Sequence, residues 1–91
     1  MAEVEQRNVY TVYAIYNKRH SKLYIGQTDD IVVRLRLHNN GTFSKSYTAR
    51  FDGEWTLVYS EISQSRGEAL VRERQLKSFR GREFVRRFIP R

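Results

Sequence analysis

Blocks of apolar and polar residues alternate along this chain, and their lengths and periods predict its elements. Val9 to Tyr16 (VYTVYAIY) is dense in β-branched and aromatic residues without a helix breaker, and Lys22 to Gly26 (KLYIG) repeats that character, so both read as strands. The polar stretch Asn17 to Ser21 between them is long enough for a hairpin loop and too short for a parallel crossover, which predicts antiparallel pairing. Beyond Gly26 the period changes. Thr28, Asp29 and Asp30 supply helix-starting oxygens before IVVRLRLH, and Asn40-Gly41 supplies a left-handed stop, predicting a helix from about Asp30 to Asn39. Gly41 to Gly53 has no usable period and reads as a loop, a class of segment that often carries function.

Trp55 to Ile62 (WTLVYSEI), bounded by Gly53 and by the polar run SQSRG, reads as a third strand. Arg66 to Arg80 reads as a second helix whose apolar half carries Ala69, Leu70, Leu76 and Phe79, and a short helix is expected around Arg82 to Phe88, before Pro90. The order strand, strand, helix, strand, helix, short helix is an α/β arrangement with a small sheet.

Composition narrows what such a fold can do. A chain of 91 residues with 40% apolar and 13% aromatic residues supports one modest core, so a single domain over 1–91 is expected, with residues 1–8 (MAEVEQRN) flexible. The absence of cysteine excludes disulfides, thiol nucleophiles and cysteine-ligated zinc. No apolar run is long enough for a membrane span and the first residues do not form a secretory leader, so a soluble, cytoplasmic protein is expected. The net charge of +7 is concentrated: residues 66–91 carry nine basic and three acidic side chains, leaving +1 for the first 65. An Arg-rich segment suits a polyanion because guanidinium forks match phosphate oxygens in pairs, although charge alone leaves nucleic acid, an anionic membrane and solubility open.

Three sets of residues are candidates for chemistry. Glu73 falls in the apolar half of the second helix, where a carboxylate demands a cation; a hard divalent ion meets that demand, and so does a structural ion pair with Lys77 at i+4 or with an Arg. Arg34 and His38 lie four apart on the first helix and can face one cleft, the Arg to hold a phosphate and the His to move a proton. A surface Arg and a helix-terminal His favoured by the helix dipole would look the same. Tyr13 and Tyr24 sit near the middle of paired strands, where tyrosine is also an ordinary residue; Tyr10, Tyr16 and Tyr59 show how freely this chain uses it.

Taken together, TVYAIYNKRHSKLYIGQTDDIVVRLRLH followed by EALVRERQLK resembles the GIY-YIG nuclease family, and is most similar to its short single-domain bacterial members. The second family motif is present as Tyr24-Ile25-Gly26. The first is represented by Thr11-Val12-Tyr13, with Thr11 in place of the family's glycine, and no Asn follows Asn40 where many members place one after the metal glutamate. The resemblance implies a three-stranded antiparallel sheet flanked by helices and a DNA endonuclease that uses Mg²⁺ or Mn²⁺. Tyr13, Tyr24, Arg34, His38 and Glu73 would be catalytic. Glu73 would ligate the metal, Tyr13 would position or deprotonate the attacking water with help from Tyr24 and His38, and Arg34 would grip the phosphate. An unperturbed phenol is a poor base at neutral pH, so Tyr13 would need its pKa depressed by the metal or by Arg34.

Arg50, Arg72, Arg74, Lys77, Arg80, Arg86 and Arg87 are the candidate contacts to the DNA backbone. A chain this short leaves little for a base-reading module, so recognition would rest on DNA structure or on a partner protein, with a role in repair or processing. The competing readings are a DNA-binding module on the same fold without turnover, and an interaction protein whose basic face meets an acidic partner.

Overall fold

Every residue of the segment Val12 to Ile15 is buried to 1% exposure or less, and the topology explains why. The computed structural model describes residues 9–40 and 47–90. Strand β1 (Tyr10–Asn17) lies at the centre of a three-stranded sheet, between β2 (Lys22–Thr28) and β3 (Trp55–Ser63), both antiparallel to it. A strand with a neighbour on each edge and helices over its faces shows as a continuous apolar run rather than an alternating one.

Because successive side chains point to opposite faces, β1 divides its residues between two layers. Val12 and Ala14, with Leu23 and Ile25 of β2, form the core against Ala69 and Leu76 of helix α2 (Arg66–Lys77) and Val85 of helix α3 (Phe79–Arg86). Phe84 and Phe88 close this layer against the Tyr59 ring at 5.3 and 5.0 Å. Thr11, Tyr13, Ile15 and Asn17 point the other way, opposite Thr28, Gly26, Tyr24 and Lys22. Over that face lies helix α1 (Ile31–Asn39), whose buried residue is His38. Thr11 sits in regular strand, and the positive-φ residues among those described are Ser21 and Gly53, so the backbone there does not call for glycine.

Local chemistry sets the helix boundaries. Asp30 caps α1 by accepting from the Val33 amide at 3.1 Å, and Ser65 caps α2 by accepting from the Glu68 amide at 3.1 Å. Two expectations are corrected here. The second helix does not run to Arg80: it ends at Lys77, because Ser78 turns extended (φ −72°, ψ 169°), donates to the Gln75 carbonyl at 2.6 Å and accepts from the Gly81 amide at 3.1 Å. One serine thus ends α2 and starts α3. Phe79 consequently leaves the apolar face and is 78% exposed, and Leu70 is 40% exposed, so Ala69 and Leu76 alone of the four expected positions are core. Asn40, the C-cap, keeps a right-handed conformation (φ −85°, ψ −3°) and closes α1 through its amide on the Arg36 carbonyl at 2.9 Å, while Gly41, the other half of the expected left-handed stop, lies outside the described residues.

The expected flexible segment 1–8, Gly41 and residues 42–46 of the expected loop, and Arg91 lie outside the described residues. The remainder of that loop contains a short 3-10 turn, Thr48–Arg50. No helix among the described residues is long and apolar enough to cross a membrane.

Candidate active site

The antiparallel register places Tyr13 opposite Gly26 and Ile15 opposite Tyr24, so both tyrosines stand on the α1 face of the sheet. Their rings are 6.3 Å apart between centroids. Gly26 makes this packing feasible: a Cβ at that position would meet the Tyr13 hydroxyl at 2.8 Å and the Tyr24 ring at 3.0 Å. The small residue of the Tyr24-Ile25-Gly26 motif is therefore a steric requirement of the tyrosine pair.

Helix α1 brings His38 down onto the pair. Its Nε2 and the Tyr13 hydroxyl share a 2.9 Å hydrogen bond, its Nδ1 shares another of 2.9 Å with the Thr48 hydroxyl, and its ring lies 5.0 Å from that of Tyr24. Tyr13, His38 and Thr48 are 1%, 5% and 2% exposed, so this hydrogen-bonded row of polar atoms runs through the interior. Burial, reinforced by the Arg34 guanidinium, lowers the His38 pKa to about 4, so the imidazole is neutral at physiological pH. Burial also pushes the Tyr13 phenol well above the ordinary range. Arg34 opposes that rise, but Tyr24 and Glu73 add to it and burial prevails. The depression expected for Tyr13 is thus absent from the protein's own groups, and its proton is held firmly.

Electrostatics also tie Arg34 and Glu73 to this place, since both act on the Tyr13 phenol although they come from helices on opposite faces of the sheet. The Glu73 side chain is 18% exposed and pairs with Lys77 at 2.8 Å, the i+4 partner expected of a structural ion pair. Glu73, Lys77, Leu70 and Arg74 line a cleft of about 250 Å³. Lys77 also borders a neighbouring cleft of about 290 Å³ with Tyr24, Tyr47 and Arg82. No cluster of three or more His, Cys, Asp or Glu side chains that could hold a metal ion exists among the described residues, so Glu73 would hold a cation with at most one further such side chain of those residues beside it. That donor set fits a hard ion such as Mg²⁺, which keeps several waters and takes phosphate oxygens, and does not fit a dedicated protein cage.

The candidate backbone contacts divide. Arg74 and Lys77 flank Glu73. Arg72 reaches the β3 side instead, where it binds Glu61 at 2.6 Å and Gln75 at 3.1 Å, and Glu61 also accepts from the Tyr59 hydroxyl. Arg50 is exposed on the 3-10 turn, Arg80 lines a groove between α2 and α3, Arg86 ends α3, and Arg87 lies 5.9 Å over the Phe84 ring. Three residues of the site escaped the sequence. Arg82, beside Tyr24, reads as one more charge in a basic segment; Thr48 and Tyr47 fall in a stretch without period, and no local signal marks them.

The GIY-YIG catalytic domain matches residues 9–84 of the chain. A UPF0213 protein of Staphylococcus saprophyticus is 38% identical over 61 residues, 67% of this chain and 72% of its own length. A UPF0213 protein of Staphylococcus haemolyticus is 37% identical over 68 residues, 75% and 79% of the two chains. The solution NMR structure of the UPF0213 protein BH0048 from Bacillus halodurans superimposes with a TM-score of 0.50 at 26% identity, over 85% of this chain and 81% of that one. With the tyrosine pair, its glycine and the helix-borne histidine in place, the match over most of its length shows that this chain belongs to the GIY-YIG nuclease family.

Proposed function

We propose that the protein is a metal-dependent endonuclease that hydrolyses phosphodiester bonds in DNA. The observation that carries this reading is the convergence on one buried phenol of a neutral imidazole, a guanidinium and a carboxylate: His38 at 2.9 Å, with Arg34 and Glu73 acting on it through space. Phosphodiester hydrolysis needs a water held and relieved of a proton, the phosphate gripped, and the leaving charge stabilised. These groups supply each requirement.

A firmly protonated Tyr13 and a neutral His38 are complementary. With His38 protonated on Nδ1, the Tyr13 hydroxyl donates to His38 Nε2 and His38 Nδ1–H donates to Thr48 Oγ1. The Tyr13 oxygen is then free to accept from a water. As that water attacks phosphorus its proton passes to the Tyr13 oxygen while the tyrosine's own proton moves to Nε2. No free phenolate forms, so the raised pKa of Tyr13 is no obstacle. Arg34 is one cause of the low basicity of His38, and a phosphate paired with its guanidinium would weaken that influence when substrate is present. Glu73 would hold a Mg²⁺ or Mn²⁺, which when bound would supply Lewis-acid stabilisation of charge at the phosphate. Arg74 and Lys77 extend the positive surface along which a DNA backbone approaches.

The test is incubation of the purified protein with supercoiled plasmid, branched DNA and single-stranded DNA, each with Mg²⁺, Mn²⁺ or chelator. Cleavage that requires the divalent ion is expected; metal-independent binding with no cleavage of any substrate would replace the enzyme with a binding module.

A further inference from the structure

The rings around the site form a continuous row that extends beyond the groups needed for hydrolysis. His38 lies 5.0 Å from Tyr24 between centroids, Tyr24 lies 6.2 Å from Tyr47 with the planes only 23° apart, and Tyr47 lies 5.2 Å from Phe51. The Lys22 ammonium stands 5.2 Å over the Phe51 ring, and Lys77 and Arg82 border the cleft that Tyr24 and Tyr47 share. Tyr47 is 40% exposed, although its neighbour Thr48 is buried and fastened to His38 Nδ1. An aromatic surface is thus held open to solvent by the residue that completes the proton path.

We propose that Tyr47, backed by Tyr24 and Phe51, is a stacking subsite for an unpaired nucleobase of the DNA strand held in the site. Aromatic rings interleaved with cations are the chemistry of single-strand binding, since every base presents a π-face and every nucleotide a phosphate. Paired bases in a duplex are already stacked on both sides and offer no free face to Tyr47. The subsite therefore directs the enzyme to DNA with single-stranded character beside the scissile phosphate: a flap, gap, branch or unwound end. This deepens the nuclease reading by naming a substrate class, and rests on that reading for the place of the strand.

The test is a binding measurement in chelator, where nothing is cut, so its outcome is separate from whether the protein cleaves. The probes are a short single-stranded DNA carrying one 2-aminopurine and the same strand with abasic positions. Wild type is expected to quench the 2-aminopurine and to bind the base-bearing strand roughly 5- to 150-fold more tightly than the abasic one. Tyr47→Phe should keep both properties. Tyr47→Leu, which retains apolar bulk without a ring face, should bind both strands alike and leave the fluorescence unquenched, with its circular dichroism that of wild type. The proposal is overturned if wild type does not distinguish the two strands, or if Tyr47→Leu distinguishes them as wild type does.

Discussion

The Tyr13 hydroxyl stands so close to the α-carbon of Gly26 that a single added methyl group would lie 2.8 Å from it. The two residues are register partners across β1 and β2, so neither strand can shift to make room without breaking its ladder. Gly26→Ala is accordingly expected to destabilise the protein by about 1–3 kcal/mol, the usual cost of overpacking a filled site, and to turn the phenol from His38. Denaturant unfolding measures the first effect, and loss of cleavage out of proportion to stability measures the second.

Removing only the hydroxyl separates chemistry from packing. Tyr13→Phe keeps the ring in its slot, so the fold should survive with a loss of about 1 kcal/mol for the missing hydrogen bond. Cleavage should fall by roughly 10²- to 10⁴-fold, the range associated with positioned proton transfer, while DNA binding in chelator stays unchanged. Single-turnover kinetics beside a binding isotherm give both quantities.

In the proposed mechanism Thr48, hydrogen-bonded to His38 Nδ1, would act through His38 rather than on substrate. Thr48→Val removes the hydroxyl that shares a hydrogen bond with His38 Nδ1, at a cost of about 1 kcal/mol, and lets the ring adopt the other tautomer. Thr48→Ser should restore stability and rate together. Equal cleavage rates for wild type and Thr48→Val would remove Thr48 from the proton path.

The lowered pKa of His38 has a defined consequence for stability. Between its ordinary value of 6.5 and about 4, the unfolded chain takes up a proton on this residue that the folded chain refuses. Stability is therefore undiminished by this group above about pH 6.5 and falls as pH drops toward 4. At about 1.4 kcal/mol per unit, the difference amounts to a few kcal/mol across the window. Unfolding free energies of wild type and His38→Gln, compared at several pH values, should converge as the pH is lowered through that window. Parallel curves would mean that His38 titrates alike in both states.

Much of the fold was legible because the central strand announces itself. VYTVYAIY is apolar on both faces, and the polar hairpin loop fixes the antiparallel pairing. The joint between α2 and α3 was not legible: Leu76 and Phe79 keep helical spacing, and nothing in the spacing shows that Ser78 turns its hydroxyl onto Gln75 and Gly81. Gly81 carries the clue in retrospect, since a Cβ there would meet the backbone of α2 at 2.2 Å. The site was legible unevenly. Arg34 and His38 declare a shared side through i+4 spacing, whereas the tyrosines differ from Tyr10 and Tyr16 only by the face they occupy, which the register decides. Thr48 and Tyr47 could not be found from spacing, because their partners come from α1 and β2. Arg72 looks like its basic neighbours until Glu61 is seen across from it on β3.

Central to this account is a proton path and a phosphate grip that work only with a divalent ion at Glu73. The most direct measurement is the single-turnover cleavage rate of wild type, Glu73→Ala and Arg34→Ala in saturating Mg²⁺, with DNA affinity determined for each in chelator. The account predicts cleavage by wild type and a loss of at least about 10²-fold in each variant, Glu73→Ala retaining its affinity for DNA. Cleavage by Glu73→Ala at the wild-type rate, or equal DNA binding by all three proteins with no cleavage by any, would contradict it.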